Sequence, residues 1–393
     1  MTSTVKAHGM DGSLVPPDWP PLTQDEVRTL LRRFPALGEP ARILTVSPRP
    51  FSAAGVVATP SGPVFIKRHH RAVRNREGLL EEHRFLAHLL ARGASVPRVV
   101  ADAAGETAIE MGDSFYEVHE TPPGIDLYEY AISWTPFRSA AHAYSAGQAL
   151  ARLHLAAQDF AAPPREPRPL VASFTIFAGR DPIAAMAHYL GRCPSLSGHR
   201  GVRVCAAQAI DILTPFYAEL APFLPALGSL WTHNDLHASN LFWSDQTCGA
   251  RATAIIDFGL ADRTNAVHDL AQAIERNIVE WLALVQDANQ PPAVHLDHLE
   301  ALLDGYESVR LLTEEEAAAL APMTALCHAE FALSEADYFL GVLQSEEKAV
   351  MAYDGWLVGH ARWFHSTAGR KLLDVLRRCA KARPRRARAE AVQ

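Results

Sequence analysis

The spacing of apolar residues changes near residue 120, and this change predicts two structurally different halves. In the first half, runs at helical spacing predict helices at 26–34 and 75–92. Shorter apolar or alternating runs predict strands at 42–46, 55–59, 63–67, 99–102, 107–111 and 115–119. Turn residues between the second and third of these strands predict a hairpin. After the short helix 26–34, we therefore expect a small antiparallel sheet with one long helix, 75–92.

In the second half, apolar residues recur mostly at helical spacing. Helices are predicted at 142–158, 181–190, 201–222, 265–287, 297–308, 313–343 and 346–376. Strand-like segments appear only within 230–262, and the Pro-rich segment 120–124 is a candidate hinge between the halves. The predicted fold class is α+β, with a small N-terminal antiparallel sheet lobe and a larger, mainly helical C-terminal lobe.

The composition of the two ends divides the chain further. Residues 1–24 are polar and contain prolines, so a loose leader is expected there. The end of the chain is rich in arginine and is expected to be a basic, flexible tail. The predicted domains are the leader 1–24, an N-terminal lobe 25–120, a C-terminal lobe 121–376 and the tail 377–393.

The overall composition indicates a globular enzyme of the cytoplasm. Of 393 residues, 48% are hydrophobic and 21% are charged, which is usual for globular proteins. A net charge of -7 disfavours nucleic acid as a partner. No signal peptide and no apolar run of membrane-spanning length is recognised, so no membrane association is expected. The five cysteines lack the spacing of disulfide frameworks or zinc sites and are expected to be free thiols.

Three polar residues within the strand-containing segment give the strongest chemical signal. Asp235 is followed five positions later by Asn240, and Asp257 ends an apolar run seventeen residues further on. In phosphoryl transfer, one Asp holds the attacking hydroxyl, while an Asn and a second Asp hold Mg²⁺ against the ATP phosphates. Each residue alone is as readily a cap or turn residue. Their order and spacing together favour a kinase.

Two residues in the first half complete this set. Lys67 ends an apolar strand, where a lysine can contact the α- and β-phosphates of ATP. Glu82, on the following helix, lies near the face that carries its leucines and is favoured over Glu81 as the carboxylate that orients the lysine. In isolation both would be surface charges. Their position upstream of the Asp–Asn–Asp set favours a nucleotide site.

With these motifs the chain resembles the aminoglycoside phosphotransferase and choline kinase superfamily, which are protein-kinase-like small-molecule kinases. The resemblance covers about residues 42–364. It is carried by Lys67, Glu82, LARLH at 150–154, HNDLHASN at 233–240, DFG at 257–259 and DLA at 269–271. It implies a protein-kinase-like bilobal fold and a phosphotransferase that depends on ATP and Mg²⁺.

The resemblance also implies roles for individual residues of the helical lobe. Asp235 would be the catalytic base that orients the acceptor hydroxyl, and Asn240 and Asp257 would ligate Mg²⁺. Asp269 would brace the catalytic loop from the following helix, and His233 would support the same loop through hydrogen bonds.

On the nucleotide side, the resemblance implies that Lys67 contacts the phosphates while paired with Glu82. The hinge would hold adenine by backbone hydrogen bonds. Because the two hinge prolines have no N–H, the donor must come from Glu120 or Thr121.

Two features set the chain apart within this resemblance. The catalytic loop commonly reads His-Gly-Asp, whereas Asn234 stands here in place of the glycine; asparagine tolerates a left-handed backbone, which preserves the turn. The DFG motif leads directly to Asp269 without the Ala-Pro-Glu element of protein kinases, which favours a small-molecule acceptor. The alternatives are a protein Ser/Thr kinase and a nucleotide-binding pseudokinase scaffold.

The acceptor would lie near Asp235, where the later helices supply acidic and aromatic residues. The candidate contacts are Glu275, Arg276, Glu330 and Glu335. Acidic and aromatic groups together suit a cationic acceptor, and Arg276 suits a carboxylate or phosphate on it. The alternative is an ordinary helical core with solvated acids. The expected substrate is an aminoglycoside, amino alcohol, homoserine or sugar, and the expected assembly is a monomer or homodimer.

Overall fold

The computed structural model describes residues 7–8, 13–39, 41–171, 173–286 and 292–390. It divides into two compact units, the first of Met1–Ser133 with Ser239–Ile256, and the second of Trp134–Ala238 with Asp257–Gln393. The first unit contains an antiparallel sheet and the second is mainly helical. The predicted α+β class, with a small sheet lobe and a larger helical lobe, is confirmed.

The strands of the described residues form antiparallel pairs. They are β1 (Ala7–His8), β2 (Leu14–Val15), β3 (Arg42–Val46), β4 (Ala53–Thr59), β5 (Gly62–His70), β6 (Ile109–Met111), β7 (Ser114–Glu120), β8 (Ser229–Thr232), β9 (Leu241–Trp243), β10 (Ala252–Ile255) and β11 (Asp262–Asn265). The main sheet has the order β3-β4-β5-β7-β6, and the predicted hairpin is β4 with β5.

One predicted strand, 99–102, is wrong. Within it, only Val99 forms a bridge, to His119 at the end of β7. The chain then turns, because the carboxylate of Asp102 accepts hydrogen bonds from the amides of Ala104 and Glu106 at 2.9 Å each. Such an Asp-centred turn competes with an extended ladder.

The two faces of the main sheet differ in chemistry. One face packs Val57, Val64, Ile66 and Val118 into an apolar cluster with the first helix of the chain. The opposite face carries Lys67, because side chains alternate between the faces of a strand. One face of the sheet therefore packs on the apolar core, and the other face is polar.

The leader predicted at 1–24 is packed where the structure describes it. β1 pairs with β2, Leu22 is buried in the apolar cluster, and the ring of Trp19 stacks on His70 with centroids 4.7 Å apart. These contacts fix the chain on the sheet, so a loose leader is wrong for these residues. Residues 1–6 and 9–12 of the predicted leader lie outside the described residues.

The candidate hinge leads into a second ladder of the first unit. β9 pairs with β10, and Ile125 exchanges backbone hydrogen bonds with Trp243 at 2.8 and 2.9 Å. Gly124 has a φ of 114°, and a Cβ there would lie 2.6 Å from the carbonyl oxygen of Trp243. Only glycine fits this close approach.

Helices begin and end in the described residues as follows. They are α1 (Gln24–Leu31), α2 (Arg76–Ala91), α3 (Ala140–Ala156), α4 (Pro182–Arg192), α5 (Pro194–Ser197), α6 (Arg200–Leu220), α7 (Ala266–Ile278), α8 (Trp281–Gln286), α9 (Leu296–Glu307), α10 (Glu314–Leu326), α11 (Ala329–Asp337), α12 (Glu346–Val350), α13 (His360–Trp363) and α14 (Thr367–Glu390). None of the described helices has the length and apolarity needed to cross a bilayer.

The three long helices predicted at 265–287, 313–343 and 346–376 are wrong as single helices. The first is divided into α7 and α8, because Val279 is extended and bridges to Val294; residue 287 lies outside the described residues. The second is divided into α10 and α11 with a π-helical turn, and the third contains the π-helical segment Met351–Gly359 before α13. α14 continues into the predicted tail, of which 391–393 lie outside the described residues.

Two contacts in the second unit place the chemistry described below. β8 pairs with β11, so the loop after β8 lies beside the start of α7. α3 packs closely on α9, where a Cβ on Gly305 would lie 1.9 Å from the carbonyl oxygen of Tyr144. Glycine at this point lets the two helix backbones approach.

Candidate active site

The loop after β8 is held in a sharp turn by Asn234. Its φ is 61°, a left-handed conformation that few residues other than glycine, asparagine and aspartate adopt readily. The buried side chain accepts a hydrogen bond from the Thr232 hydroxyl at 2.8 Å and donates one to the Leu260 carbonyl at 3.2 Å. Asparagine therefore keeps the turn and adds bonds that glycine lacks.

Asp269 fixes the same loop from the first turn of α7. Its carboxylate accepts hydrogen bonds from the amides of His233 at 2.9 Å and Asn234 at 2.7 Å. His154 of α3 donates from Nε2 to the same carboxylate at 3.0 Å. Burial alone would raise the pKa of Asp269, but the hydrogen bonds from His154 and from the amide of His233 hold it below its ordinary value. A buried carboxylate thus clamps two consecutive amides.

His154 belongs to the LARLH motif, and no role for it was predicted from the sequence. Because Nε2 donates to Asp269, Nδ1 is left to accept a hydrogen bond from the Tyr306 hydroxyl of α9 at 2.7 Å. The close packing of α3 on α9 makes this contact. The signal in the sequence was a histidine at the end of an apolar helix, which cannot be distinguished from a core histidine without the partner.

Asp235 presents its carboxylate at the end of this loop, with 17% of the side chain exposed. Oδ1 accepts a hydrogen bond from Nε of Arg276 at 2.8 Å. Burial raises the pKa of Asp235 above its ordinary value, and the charge of Arg276 opposes that rise. The ion pair orients a carboxylate that remains accessible to solvent.

Arg276 was predicted to bind the acceptor, but the structure gives it another position. The residue is completely buried, and besides Asp235 its guanidinium donates to Gln272 at 2.9 Å. It also lies over the ring of Phe331, 4.5 Å from the centroid. A buried charge needs such partners, so Arg276 is committed to Asp235 rather than available to an acceptor.

Glu275 and Glu330 are also committed to protein partners. Glu275 bonds to Nδ1 of His360 at 3.0 Å. Burial would raise the pKa of Glu275, but this bond holds it below its ordinary value. Glu330 accepts hydrogen bonds from the amides of Thr175 and Ile176, the latter at 2.6 Å. Oε2 of Glu330 is nevertheless buried without a partner among the described residues, and the acceptor contacts of both residues stay predictions.

Glu335 shares with Glu330 a buried carboxylate oxygen that has no hydrogen-bond partner among the described residues. It is 2% exposed, and its Oε2 has no hydrogen-bond partner among the described residues. Burial raises the pKa of Glu335 to about 8, although the charge of Arg276 opposes the rise. A buried carboxyl group without a partner is rare and costly, so this position is suited to a ligand.

Aromatic side chains that sequence reasoning did not single out lie beside these groups. Trp134 contacts both Phe331 and Trp356, with ring centroids 5.6 and 5.7 Å apart. Nε1 of Trp356 is buried without a hydrogen-bond partner. Trp134 also lies 5.5 Å from the guanidinium of Arg276. No periodic pattern marks Trp134, because it lies in an irregular segment.

In the first unit, the strand and helix predicted to bind nucleotide are present. Lys67 lies on β5, opposite Glu117 of β7. His69 shares the face of Lys67 and meets His83 of α2 at the Glu117 carboxylate. Lys67 therefore lies on the face of the sheet that α2 covers, and Glu82 is buried on that helix.

The hinge offers fewer donors than its sequence predicted. The amide of Glu120 donates to the carbonyl of Arg98 at 2.9 Å, so it is not available to a base. Of Glu120 and Thr121, Thr121 therefore remains the candidate donor to adenine. Its hydroxyl donates to the Pro63 carbonyl at 3.2 Å.

The two predicted metal ligands lie at chain reversals. Asn240 is buried at the end of a 3₁₀ turn and accepts a hydrogen bond from the amide of Ile256 on its carbonyl at 2.9 Å. Asp257 is exposed and follows β10 with a φ of 61°. Both offer side-chain oxygens, the donors that Mg²⁺ prefers.

Comparison with known proteins was made by sequence and by structure. The profile of the phosphotransferase enzyme family matches residues 54–312. A homoserine kinase of Xanthobacter autotrophicus is 27% identical over 274 residues, which are 67% of this chain and 70% of that protein. A solved microcompartment-associated aminopropanol kinase has 18% identity and a TM-score of 0.56, over 88% of this chain and 99% of that one. The amicoumacin kinase hAmiN, solved with AMP-PNP, Ca²⁺ and Ami, has 14% identity and a TM-score of 0.53, over 86% and 96%.

Proposed function

The chain belongs to the phosphotransferase enzyme family, and on this premise we propose that it transfers the γ-phosphate of ATP, with Mg²⁺, to the hydroxyl of a small amino alcohol. That it is a small-molecule kinase with a hydroxyl acceptor follows from the family. ATP, Mg²⁺ and the amino alcohol are the proposed part. The observation that carries the proposal is the clamped loop that presents Asp235, paired with Arg276.

Asp235 is the proposed catalytic base. A base must lie within hydrogen-bond reach of the hydroxyl proton, and the partly exposed carboxylate of Asp235 meets that requirement for a bound acceptor. Arg276 and Asp269 are positioning residues, because one orients the carboxylate and the other holds the loop. In kinases the protein itself does little covalent chemistry, so the positioning of the acceptor and the nucleotide accounts for much of the rate enhancement.

The proposed nucleotide and metal contacts follow the motif order. Asn240 and Asp257 would hold Mg²⁺, which neutralises charge on the phosphates when bound. Lys67 would contact the phosphates, with Glu82 on α2 orienting it. Thr121 would contact adenine. The oxygen donors of Asn240 and Asp257 support the metal, since Mg²⁺ is a hard cation.

Glu335 is the proposed contact for the amino group of the acceptor. Oε2 of its carboxyl lacks a partner among the described residues. The indoles of Trp134 and Trp356 contact each other, and Arg276, which lies over Trp134, also acts on the charge of Glu335. A carboxylate beside aromatic faces suits an ammonium group. The homoserine and aminopropanol in the names of the relatives carry an amino group and a hydroxyl, which supports the same acceptor class.

Two alternatives have different support. A protein Ser/Thr kinase needs a long activation segment after DFG. Here the chain passes from Phe258 through β11 into α7 within eight residues, which disfavours it. A pseudokinase scaffold would not need a fixed loop that presents Asp235. The buried hydrogen bonds from this loop to Asp269 therefore favour an enzyme.

The proposal is tested by incubating the purified protein with ATP, Mg²⁺ and a panel of amino alcohols, sugars, aminoglycosides and a protein mixture, and measuring ADP release. The expected result is release with one or more amino alcohols. Asp235→Asn should abolish it while nucleotide binding is kept, and Asp257→Ala should weaken Mg²⁺·ATP binding. Phosphorylation of protein alone, or turnover unchanged by Asp235→Asn, would contradict the proposal.

A further inference from the structure

The polar face of the main sheet carries a buried cluster of three histidines and one glutamate. Oε1 of Glu117 on β7 accepts a hydrogen bond from Nε2 of His69 on β5 at 2.9 Å. Its Oε2 contacts His83 of α2 at 2.8 Å and His119 at 3.1 Å. All four residues are buried, and none is more than 9% exposed. The cluster thus joins two central strands and the helix that covers them.

Phosphoryl transfer needs no such group, since its metal is held by oxygen donors. Imidazole nitrogens with one carboxylate are instead the donors of zinc and related ions. One ligand atom from each of His83, Glu117 and His119 lies within 4.8 Å of the others. We propose that these three residues form a binding site for a divalent transition metal of the zinc type.

The spacing fits a metal after shifts of the three side chains. Bonds of about 2.0–2.1 Å around a tetrahedral ion put neighbouring donors about 3.3 Å apart. His83 and His119 lie 2.8 and 3.1 Å from Oε2 of Glu117, so these two distances must lengthen by a few tenths of an ångström, and the donor atoms of the two histidines, which lie within 4.8 Å of each other, must settle at about 3.3 Å. Three protein ligands leave a fourth position for a water or another ligand, as in open zinc sites.

Two contacts supply the outer support that metal ligands usually have. Nδ1 of His83 bonds to the Thr107 hydroxyl at 2.8 Å, which leaves Nε2 to face the site. His69 bonds to Oε1 and so directs Oε2 of Glu117 toward the other two rings. In contrast, Nδ1 of His119 has no partner among the described residues, so the cluster is not a complete hydrogen-bond network by itself.

A cavity gives access to the cluster. It has a volume of about 340 Å³ and is lined by His83, Thr107, Val99 and Arg98, among others. An ion can therefore reach His83 without unfolding of the sheet. Because Glu117 lies opposite Lys67 in the strand register, a bound ion adds positive charge near the proposed phosphate-binding lysine. It also stabilises this unit, because a ligand that binds only the folded state shifts the unfolding equilibrium toward it.

The test is metal uptake by the purified full chain after removal of metals with a chelator. Co²⁺ is added because its visible absorption reports nitrogen and oxygen ligands at low coordination number, and Zn²⁺ then displaces it. We expect one equivalent of Co²⁺ retained through desalting, and a rise in the midpoint of thermal unfolding with Zn²⁺. His119→Gln and Glu117→Gln should each weaken binding about tenfold or more.

The second group of candidate donors in the described residues, His295, Asp297 and His298, provides the matched control. The double variant H295Q/H298Q leaves the cluster around Glu117 unchanged, so it should take up Co²⁺ as the wild type does. The wild-type measurement decides even where a variant fails to fold: no stoichiometric uptake overturns the proposal. Uptake that H119Q leaves unchanged, or that H295Q/H298Q removes, also overturns it.

Discussion

At the scale of single residues, the candidate site is organised by the pair of Asp235 and Arg276. Three of the four predicted acceptor contacts, among them Arg276, make bonds within the protein instead. Glu335, the fourth, and Glu330 each keep a buried oxygen without a partner among the described residues. In the proposed function, Arg276 positions the proposed base and Glu335 is the proposed contact for the acceptor.

Removal of the arginine charge tests the first role. Arg276→Met leaves Asp235 without its buried partner, and breaking such a pair costs about 3–5 kcal/mol. We expect that loss in the free energy of unfolding from urea titration. In the folded protein kcat should fall about tenfold or more while KM for ATP changes little. A KM effect without a kcat effect would contradict the positioning role.

Asn234 allows a comparison of two substitutions at one backbone conformation. Asn234→Gly keeps the left-handed turn and loses only the buried hydrogen bonds of the side chain, at about 1–3 kcal/mol. Asn234→Ala loses the same bonds and adds strain of about 1–2 kcal/mol. Urea unfolding should thus rank the alanine variant below the glycine variant. Equal stabilities would show that the φ of 61° contributes nothing.

The raised pKa of Glu335 predicts that a proton is released when the acceptor binds. With a pKa of about 8 in the ligand-free protein, the carboxyl is mostly protonated at pH 7. An ammonium group favours the carboxylate, so binding should release up to about one proton per site. Calorimetry at pH 7 in two buffers of different ionisation enthalpy measures this release. Glu335→Gln should remove it and raise KM for the acceptor, and an unchanged release would contradict the assignment.

At the scale of elements, strands and isolated helices could be predicted from the sequence, but interruptions could not. β3 has the predicted bounds, because a regular apolar pattern ends there in turn residues. The break between α7 and α8 was missed, because the apolar pattern continues through Val279 and Trp281. The turn at Asp102 was missed because the apolar pattern of 99–102 does not show that the Asp102 carboxylate bonds to the nearby amides of Ala104 and Glu106.

The close contact of α3 with α9 gives an element-scale prediction. Gly305→Ala puts a methyl group 1.9 Å from the Tyr144 carbonyl oxygen, which forces the helices apart and separates His154 from Tyr306. We expect a loss of several kcal/mol, as for other overpacked sites, and a reduced kcat. Gly191→Ala is the matched control: it lies in α4 with no atom within 4 Å of the added carbon.

The control should behave in the opposite direction. Alanine favours a helix over glycine by about 1 kcal/mol, so Gly191→Ala should slightly raise the free energy of unfolding and leave kcat unchanged. Comparable losses in both variants would show that helix composition, rather than the contact of α3 with α9, controls stability here.

At the scale of the whole molecule, the order of motifs predicted the family and the two-unit fold. Motifs with fixed spacing, such as the one from Asp235 to Asn240, are local and can be recognised in sequence. Trp134, by contrast, comes from an irregular segment and meets Phe331 only in the fold. The histidine cluster around Glu117 was missed because its members come from three separate elements.

The central claim is that this chain phosphorylates a small amino alcohol with Asp235 as the base. The most direct measurement is mass spectrometry of homoserine and aminopropanol after incubation with ATP, Mg²⁺ and either the wild type or Asp235→Asn. The account predicts the mass of one added phosphoryl group with the wild type and none with the variant, although both bind nucleotide. Equal product from both proteins, or no phosphorylated amino alcohol with either, would contradict it.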